Sequence, residues 1–325
     1  MTGKVSLIAE FCQNHNGKPD LLARMVEAAA NGGATHGKIQ HIYAHQVTFR
    51  PQFENGLIHD GKVKAIQRPY RDEVTRLRGL ELPPRVCRDF IRWCKDCGLV
   101  PMTTCFSRDS VPGIAELGFK VVKVASYDCA SFHMLRELKA VFPQLLVSTG
   151  ATYDDELDHA ASILSGHDFA FLHCVTIYPT PFDEMHLARL NRLRRLAPRI
   201  GFSDHSAVAH DGVLASKIAI HLGAEIIERH FTILGPAETR DGALSIGPRQ
   251  CAELVEFSSL EPVEQVRRLD NERPEWRRAI GNEWRRFSAA ELLNRDYYRG
   301  RFASRRPGCF DGEGMIYNWE ETPLQ

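Results

Sequence analysis

The sequence predicts an α/β fold, a (β/α)8 TIM barrel followed by a short basic, aromatic C-terminal extension. Eight short apolar runs alternate with helix-period segments over residues 1–260, about the usual length of one such barrel. Neither a Gly-x-Gly-x-x-Gly nor a Gly-x-x-x-x-Gly-Lys-Ser/Thr motif follows any run, which argues against an open nucleotide-binding sheet. Beyond residue 260 the texture changes, so the chain divides into a catalytic barrel, 1–260, and an extension, 261–325.

The first strand is "VSLIAEF", ending at Phe11. Pro19 suits the first turn of the following helix, whose Leu21, Leu22, Met25, Val26 and Ala29 share a face and which Gly32-Gly33 ends. "THGKIQ" is the second strand. A long polar stretch, 41–80, precedes a helix around Val86–Cys97. "LVPMTTCF", "KVVKVAS", "QLLVSTG", "FAFLHC" and "IGFSDHS" follow as strands, then one helix carrying Val213, Leu214, Ile218 and Leu222, and an eighth strand, "GAEIIERHF". In the extension, residues 261–306 hold twelve Arg against eight Asp or Glu. Trp276, Trp284 and Trp319 also lie there, with Tyr297, Tyr298 and Tyr317. So aromatic a segment predicts a packed unit, on the barrel or on a partner chain.

Hydrophobic residues at 43% and charged residues at 25% predict a packed core. The 41 basic and 41 acidic residues cancel, which argues against nucleic acid or an anionic membrane as partner. The absence of a long apolar run and of a signal-peptide pattern predicts a cytoplasmic protein. The nine cysteines have no disulfide-framework spacing and read as reduced; Cys87, Cys94 and Cys97 read as helix-borne, not as half of a zinc site.

In a barrel the chemistry sits at the C-terminal ends of the strands. Distinctive polar residues recur there: Glu10; Lys38 and Gln40; Thr104, Phe106 and Ser107; Lys123, Ser126 and Asp128; Ser148; and the strand-ending His205 and His230, with Asp241 shortly after. Two lysines at one rim are costly unless they meet anions, and with the hydroxyls they form a plausible phosphate site. Two neutral imidazoles with nearby carboxylates suit a divalent ion with open positions. The residues alone thus point to a metal-assisted barrel enzyme acting on a phosphorylated small molecule.

In order, "IAEFCQNHNG", "GKIQ", "TTCFS", "VKVAS", "VSTG", "LHCVTIYPTP", "GFSDHS" and "IIERHFT" closely resemble the motif series of the sialic acid synthase family, over about residues 5–250. Those N-acetylneuraminate synthase-like enzymes condense phosphoenolpyruvate with an aldose such as N-acetylmannosamine, giving a 2-keto-3-deoxy sugar acid and phosphate. The resemblance implies that His205 and His230 bind the metal, manganese or magnesium. It places the phosphoenolpyruvate carboxylate and phosphate on Lys38, Lys123, Ser126, Ser148 and Ser203. Glu10 and Asp241 would face the aldehyde and the attacking water; Gln40, Thr104, Phe106 and Tyr178 would line the pocket. A homodimer is implied as well.

The departures concern substrate choice. Asp128 stands where a family glutamate is usual, joining Glu10 and Asp241 as a catalytic candidate, and Tyr127 replaces a small residue. Thr176 occupies the place of a phosphate-contacting Asn. The family's antifreeze-like domain, which brings an arginine to a partner's site, has no full counterpart here; "RRPG", 305–308, resembles its basic stretch. Two other readings remain: a synthase for an eight-carbon sugar acid phosphate, helped by Arg240 or the tail, and a ligand-binding barrel without turnover.

Overall fold

The computed structural model describes residues 5–306, 308–309 and 314–324. Eight parallel strands close into a barrel: β1 (Ser6–Glu10), β2 (His36–His41), β3 (Val100–Cys105), β4 (Val121–Val124), β5 (Gln144–Ser148), β6 (Asp168–His173), β7 (Arg199–Asp204) and β8 (Ile226–His230). Each pairs with its sequence neighbour, and β8 returns to pair with β1, Glu10 opposite His230.

Side chains of a strand alternate between its two faces, so inward positions recur every second residue. In the lower barrel they are apolar: Ile8, Met102, Val121, Leu146, Ala170, Leu172 and Ile226 form one cluster. Two residues further along the same strands stand Glu10, Thr104, Lys123, Ser148 and Glu228. Lys38 of β2 pairs in register with Glu10, and Gln40 with Thr104. The interior is therefore an apolar plug below and a polar cup above, both written by the same period-two pattern.

Outside the barrel, helix Pro19–Asn31 buries the face made by Leu21, Leu22, Met25, Val26 and Ala29, as its spacing predicts. Cys87 and Cys94 face the core from helix Pro84–Asp96, and Cys97 is exposed. Two segments differ from the sequence expectation. The single helix expected after β7 is broken into Val208–Asp211 and Leu214–His221, because Gly212 between them takes φ 52°, ψ −120°, a conformation outside the helix. The stretch 41–80 is built, not merely polar. It holds a hairpin, Leu57–His59 with Lys62–Ala65, and helix Tyr70–Arg78. Asp60 and Gly61 turn the hairpin with φ 50° and 68°, the positive pair that an Asp-Gly turn favours.

The C-terminal extension packs on its own barrel. Helix Pro262–Glu272 leads to a 3-10 turn, Trp276–Ile280, whose Trp276 and Ala279 enter the main core. Helix Ala289–Tyr298 starts in a capping box: the Ser288 hydroxyl accepts from the Glu291 amide at 3.2 Å, and the Glu291 carboxylate accepts from the Ser288 amide at 3.1 Å. Tyr297 then packs on Phe53 and Ala65, and Phe302 on Ile42 and Phe106. Among the described residues no helix is long and apolar enough to cross a membrane.

Candidate active site

A cavity of about 400 Å³ opens at the C-terminal ends of the strands. On its floor Lys38 contacts the Glu10 carboxylate, donates to Thr104 Oγ1 at 2.9 Å, and lies 3.7 Å from Glu228 Oε2. Lys123 pairs with Glu228 Oε1, which also accepts from the Ser203 hydroxyl at 2.8 Å. Burial lowers the Lys38 pKa from its ordinary value, with Glu228 opposing. Burial would raise Glu228, but Lys123 and Lys38 outweigh it and hold the carboxyl well below its usual range. Two ammonium groups and two carboxylates thus occupy a site where each charge depends on the others. Ser148 Oγ, equally buried, has no hydrogen-bond partner among the described residues and is open to a ligand.

Ser126 follows β4 and accepts from the Gly150 amide at 3.1 Å. A side chain at Gly150 would meet Thr176 Cγ2 at 2.6 Å and Ser126 Oγ at 2.9 Å, so only glycine permits this approach.

The histidines stand at adjacent strand ends with ring centroids 5.5 Å apart. What aims them is a pair of residues beside them that point the other way. Arg229 and Asp204, both fully buried, pair at 2.6 Å. Arg229 also donates to Ser206 Oγ and Leu244 O, and Asp204 accepts from the Ser216 hydroxyl and the Ser206 amide. Strand alternation then turns His205 and His230 into the cup. Burial keeps both imidazoles below the ordinary histidine pKa, His205 strongly, so their nitrogens are free to act as ligands at neutral pH.

His230 Nδ1 lies 3.8 Å from Asp241 Oδ2, and both atoms are buried without a hydrogen-bond partner among the described residues. Cys12 Sγ completes a trio whose ligand atoms all lie within 4.8 Å of one another. This donor set fits a divalent ion. Burial, and then Asp241, push the Cys12 thiol well above its usual pKa, so the nitrogen and oxygen donors are the stronger ligands. His205 stands beside the trio, its Nδ1 3.6 Å from Cys174 Sγ. Cys12 itself sits at φ 41°, with its amide bound to Glu10 Oε1 at 2.7 Å, a strained backbone of the kind found at functional sites.

Across the cup, Asp128 accepts from Ser131 Oγ at 2.8 Å and Asn318 Nδ2 at 2.9 Å. Burial nevertheless raises its pKa from 3.8 to about 6. The folded state thus binds this proton more tightly than the unfolded chain, so stability declines as pH rises from about 4 to about 6. Asp128→Asn should remove that decline and raise stability at pH 7 by about 2–3 kcal/mol. Denaturant melts of both proteins at pH 4 and 7 check this; an unchanged pH slope in the variant would count against it.

Comparison with known proteins agrees with this architecture. The NeuB family model matches residues 25–267. The chain belongs to the NeuB family. It is 28% identical over 261 residues to the N,N'-diacetyllegionaminic acid synthase of Campylobacter jejuni, covering 76% of this chain and 73% of that protein. To the human N-acetylneuraminate-9-phosphate synthase it is 27% identical, over 77% of this chain and 68% of the relative. The sialic acid synthetase of Leptospira borgpetersenii shares the fold, with TM-score 0.67 and 24% identity over 91% of this chain and 92% of that one. This NeuB-family protein is therefore a sialic acid synthase-like enzyme built on a TIM barrel.

Ser107, picked out at the end of β3, turns away and donates to Asp109 Oδ1 at 2.6 Å. Of the fifteen residues expected to act as catalytic, substrate-binding or metal-binding groups, fourteen line the cavity of the NeuB-family enzyme: Glu10, Lys38, Gln40, Thr104, Phe106, Lys123, Ser126, Asp128, Ser148, Tyr178, Ser203, His205, His230 and Asp241. Thr176 is the exception. It is fully buried, its methyl packs behind Gly150, and its carbonyl accepts from Asn294 Nδ2, so it does not stand at the cavity surface where a phosphate contact was expected. Of "RRPG", Pro307 lies outside the described residues, and Arg305 reaches the His45 carbonyl at 3.1 Å. The tail guanidinium that reaches the cavity is instead that of Arg301. Sequence reasoning also missed Cys12, Arg68, Glu73, Arg76, Tyr297 and Tyr298 as lining residues. Tyr298 stacks on Tyr127 at 4.5 Å, and the Tyr127 hydroxyl meets that of Tyr178 at 2.7 Å. The bulky Tyr127 is thus part of a tyrosine wall that joins tail and barrel.

Proposed function

We propose that this enzyme condenses phosphoenolpyruvate with an N-acetylmannosamine-like aldose, forming a sialic acid-like 2-keto-3-deoxy sugar acid and phosphate. What chiefly supports this is the floor: two lysines, the Ser203 hydroxyl and the unpartnered Ser148 hydroxyl converge beside the unpartnered His230 and Asp241 atoms. An anion and an electrophile have their places side by side. The names of the relatives point to the same reaction type.

Lys38 and Lys123 would orient the phosphate and carboxylate of phosphoenolpyruvate, trading part of their contact with Glu10 and Glu228 for the substrate. His230 and Asp241, with His205 beside them, would hold manganese or magnesium. That ion, when bound, supplies Lewis acidity to the aldehyde oxygen. Carbon 3 of phosphoenolpyruvate forms a bond to the aldehyde carbon, leaving positive charge at carbon 2. Glu10 or Glu228 stabilises that charge, takes a proton from the water that adds there, and passes it to the aldehyde oxygen, whose double bond to carbon opened as the new bond formed. The carbon 2–phosphate oxygen bond then breaks, the keto group forms and phosphate leaves along the lysines.

Purified protein is expected to release phosphate from phosphoenolpyruvate only when both aldose and divalent metal are present. His205→Ala and His230→Ala should each remove that metal-dependent release. A near-normal rate in either would refute the ligand assignment, and silence across a broad aldose panel, sugar phosphates included, would refute the reaction.

A further inference from the structure

Strand alternation turns His205 into the cup, but the imidazole can still rotate about its own Cβ–Cγ bond, a torsion of broad preference. A nitrogen that is to hold an ion needs that rotation fixed. The loop after β6 borders the ring at three points. Cys174 Sγ lies 3.6 Å from His205 Nδ1, and the Tyr178 ring stands edge-on, with centroids 4.7 Å apart and planes at 80°. The Thr180 amide donates to the His205 carbonyl at 2.9 Å. This loop, 174–180, belongs to no helix or strand, apart from a single bridge of Thr180 to Ser206. Its other supports come from the tail helix Ala289–Tyr298. Asn294 Nδ2 donates to the Thr176 carbonyl at 2.7 Å. Tyr298 stacks on Tyr127 with planes at 15°, and the Tyr127 hydroxyl meets that of Tyr178. The helix is itself anchored elsewhere, by Arg295 on Glu156 at 2.5 Å and by Tyr297, edge-on to Phe53 at 5.1 Å.

We infer that the tail helix sets the metal affinity of the barrel: Tyr298, Tyr127 and Asn294 are positioning residues that hold the loop after β6, so that Tyr178 fixes the His205 ring for the ion. The inference rests on the reading of His205 as a ligand. A ligand held by supporting contacts loses less freedom when the ion arrives, which appears as affinity. Phosphoenolpyruvate, by contrast, is assigned to the lysine floor, whose contacts do not run through this loop. Loosening the tail should therefore weaken the ion and spare the anion.

The test measures manganese binding from the spin-resonance signal of the free ion, and phosphoenolpyruvate binding without metal by calorimetry. It uses the wild type, Tyr127→Phe/Asn294→Leu, Tyr298→Leu and Tyr298→Phe. All three side chains are half-buried, outside the main core, so the variants should fold. The double variant and Tyr298→Leu should each weaken manganese by about threefold to thirtyfold, the scale of a lost ring pair or of one or two hydrogen bonds, with phosphoenolpyruvate affinity unchanged. Tyr298→Phe keeps the stacked ring and should bind manganese as the wild type does. Unchanged manganese affinity in the first two variants, an equal loss of phosphoenolpyruvate, or a Tyr298→Phe protein as weak as Tyr298→Leu overturns the positioning role and leaves the proposed reaction standing. If the wild type itself binds no manganese, the ligand assignment fails, and the imidazole resonances of His205 decide the positioning role. Every variant retains Tyr178, so a shift of those resonances in the double variant and in Tyr298→Leu reports movement of the ring pair and upholds it; resonances that stay in place overturn it.

Discussion

Lys123→Met should lower kcat/KM for phosphoenolpyruvate by about 10²–10⁴, the scale of truncating one partner of a buried, hydrogen-bonded charge pair. Lys123 is 5% exposed and holds Glu228, which retains the Ser203 hydroxyl and the more distant Lys38. Removing the ammonium therefore takes away the proposed phosphate ligand and leaves a buried carboxylate short of positive charge. The two effects separate in a second variant. Adding Glu228→Gln should restore much of the lost stability while turnover stays low, because no ammonium returns. Steady-state phosphate release and denaturant melts of the wild type and the two variants measure both. A Lys123→Met enzyme within tenfold of wild type would show that this lysine does not hold the substrate.

The second large effect concerns stability. Arg229→Met should destabilise the protein by about 3–5 kcal/mol, because Asp204 would keep a charge, 1% exposed, without its 2.6 Å partner. Asp204 retains the Ser216 hydroxyl and Ser206 amide, so the fold should survive in weakened form. Arg229→Met/Asp204→Leu should recover most of the loss, since an apolar pair removes both charges together. Metal-dependent turnover should not return with it, as this ion pair helps set the strand ends that carry His205 and His230. A loss below about 1 kcal/mol for Arg229→Met would mean that the pair is not what braces β7 to β8.

Much of the barrel was readable because one period governs it. From Ile8 to Glu10, Met102 to Thr104, Val121 to Lys123 and Leu146 to Ser148, the inward residue turns from apolar to polar within two positions, and the change marks the mouth of the barrel. Other features depend on contacts between distant segments. Cys12 ends an apolar run and looks like core until the fold sets it beside Asp241. Leu57–His59 is exposed throughout, so no burial pattern announced that strand, although Asp60-Gly61 is a hairpin signal that the sequence reading passed over. Glu73 and Arg76 lie in a polar stretch where nothing local aims them at the site. The aromatic content of the tail indicated packing. That Tyr298 and Arg301 reach the mouth follows only from the path of the chain after Ser288, and Thr176 is withdrawn from the surface by a neighbouring glycine that sequence order does not place.

In the described wall of the cavity, Asn294, Tyr297, Tyr298, Arg301 and Phe302 of the tail stand beside the strand-end residues of the barrel. These tail residues are joined to the barrel by covalent chain, which fixes their local concentration at the cavity. The same tether sets an order of events, since synthesis must pass Phe302 before that part of the cavity wall can form.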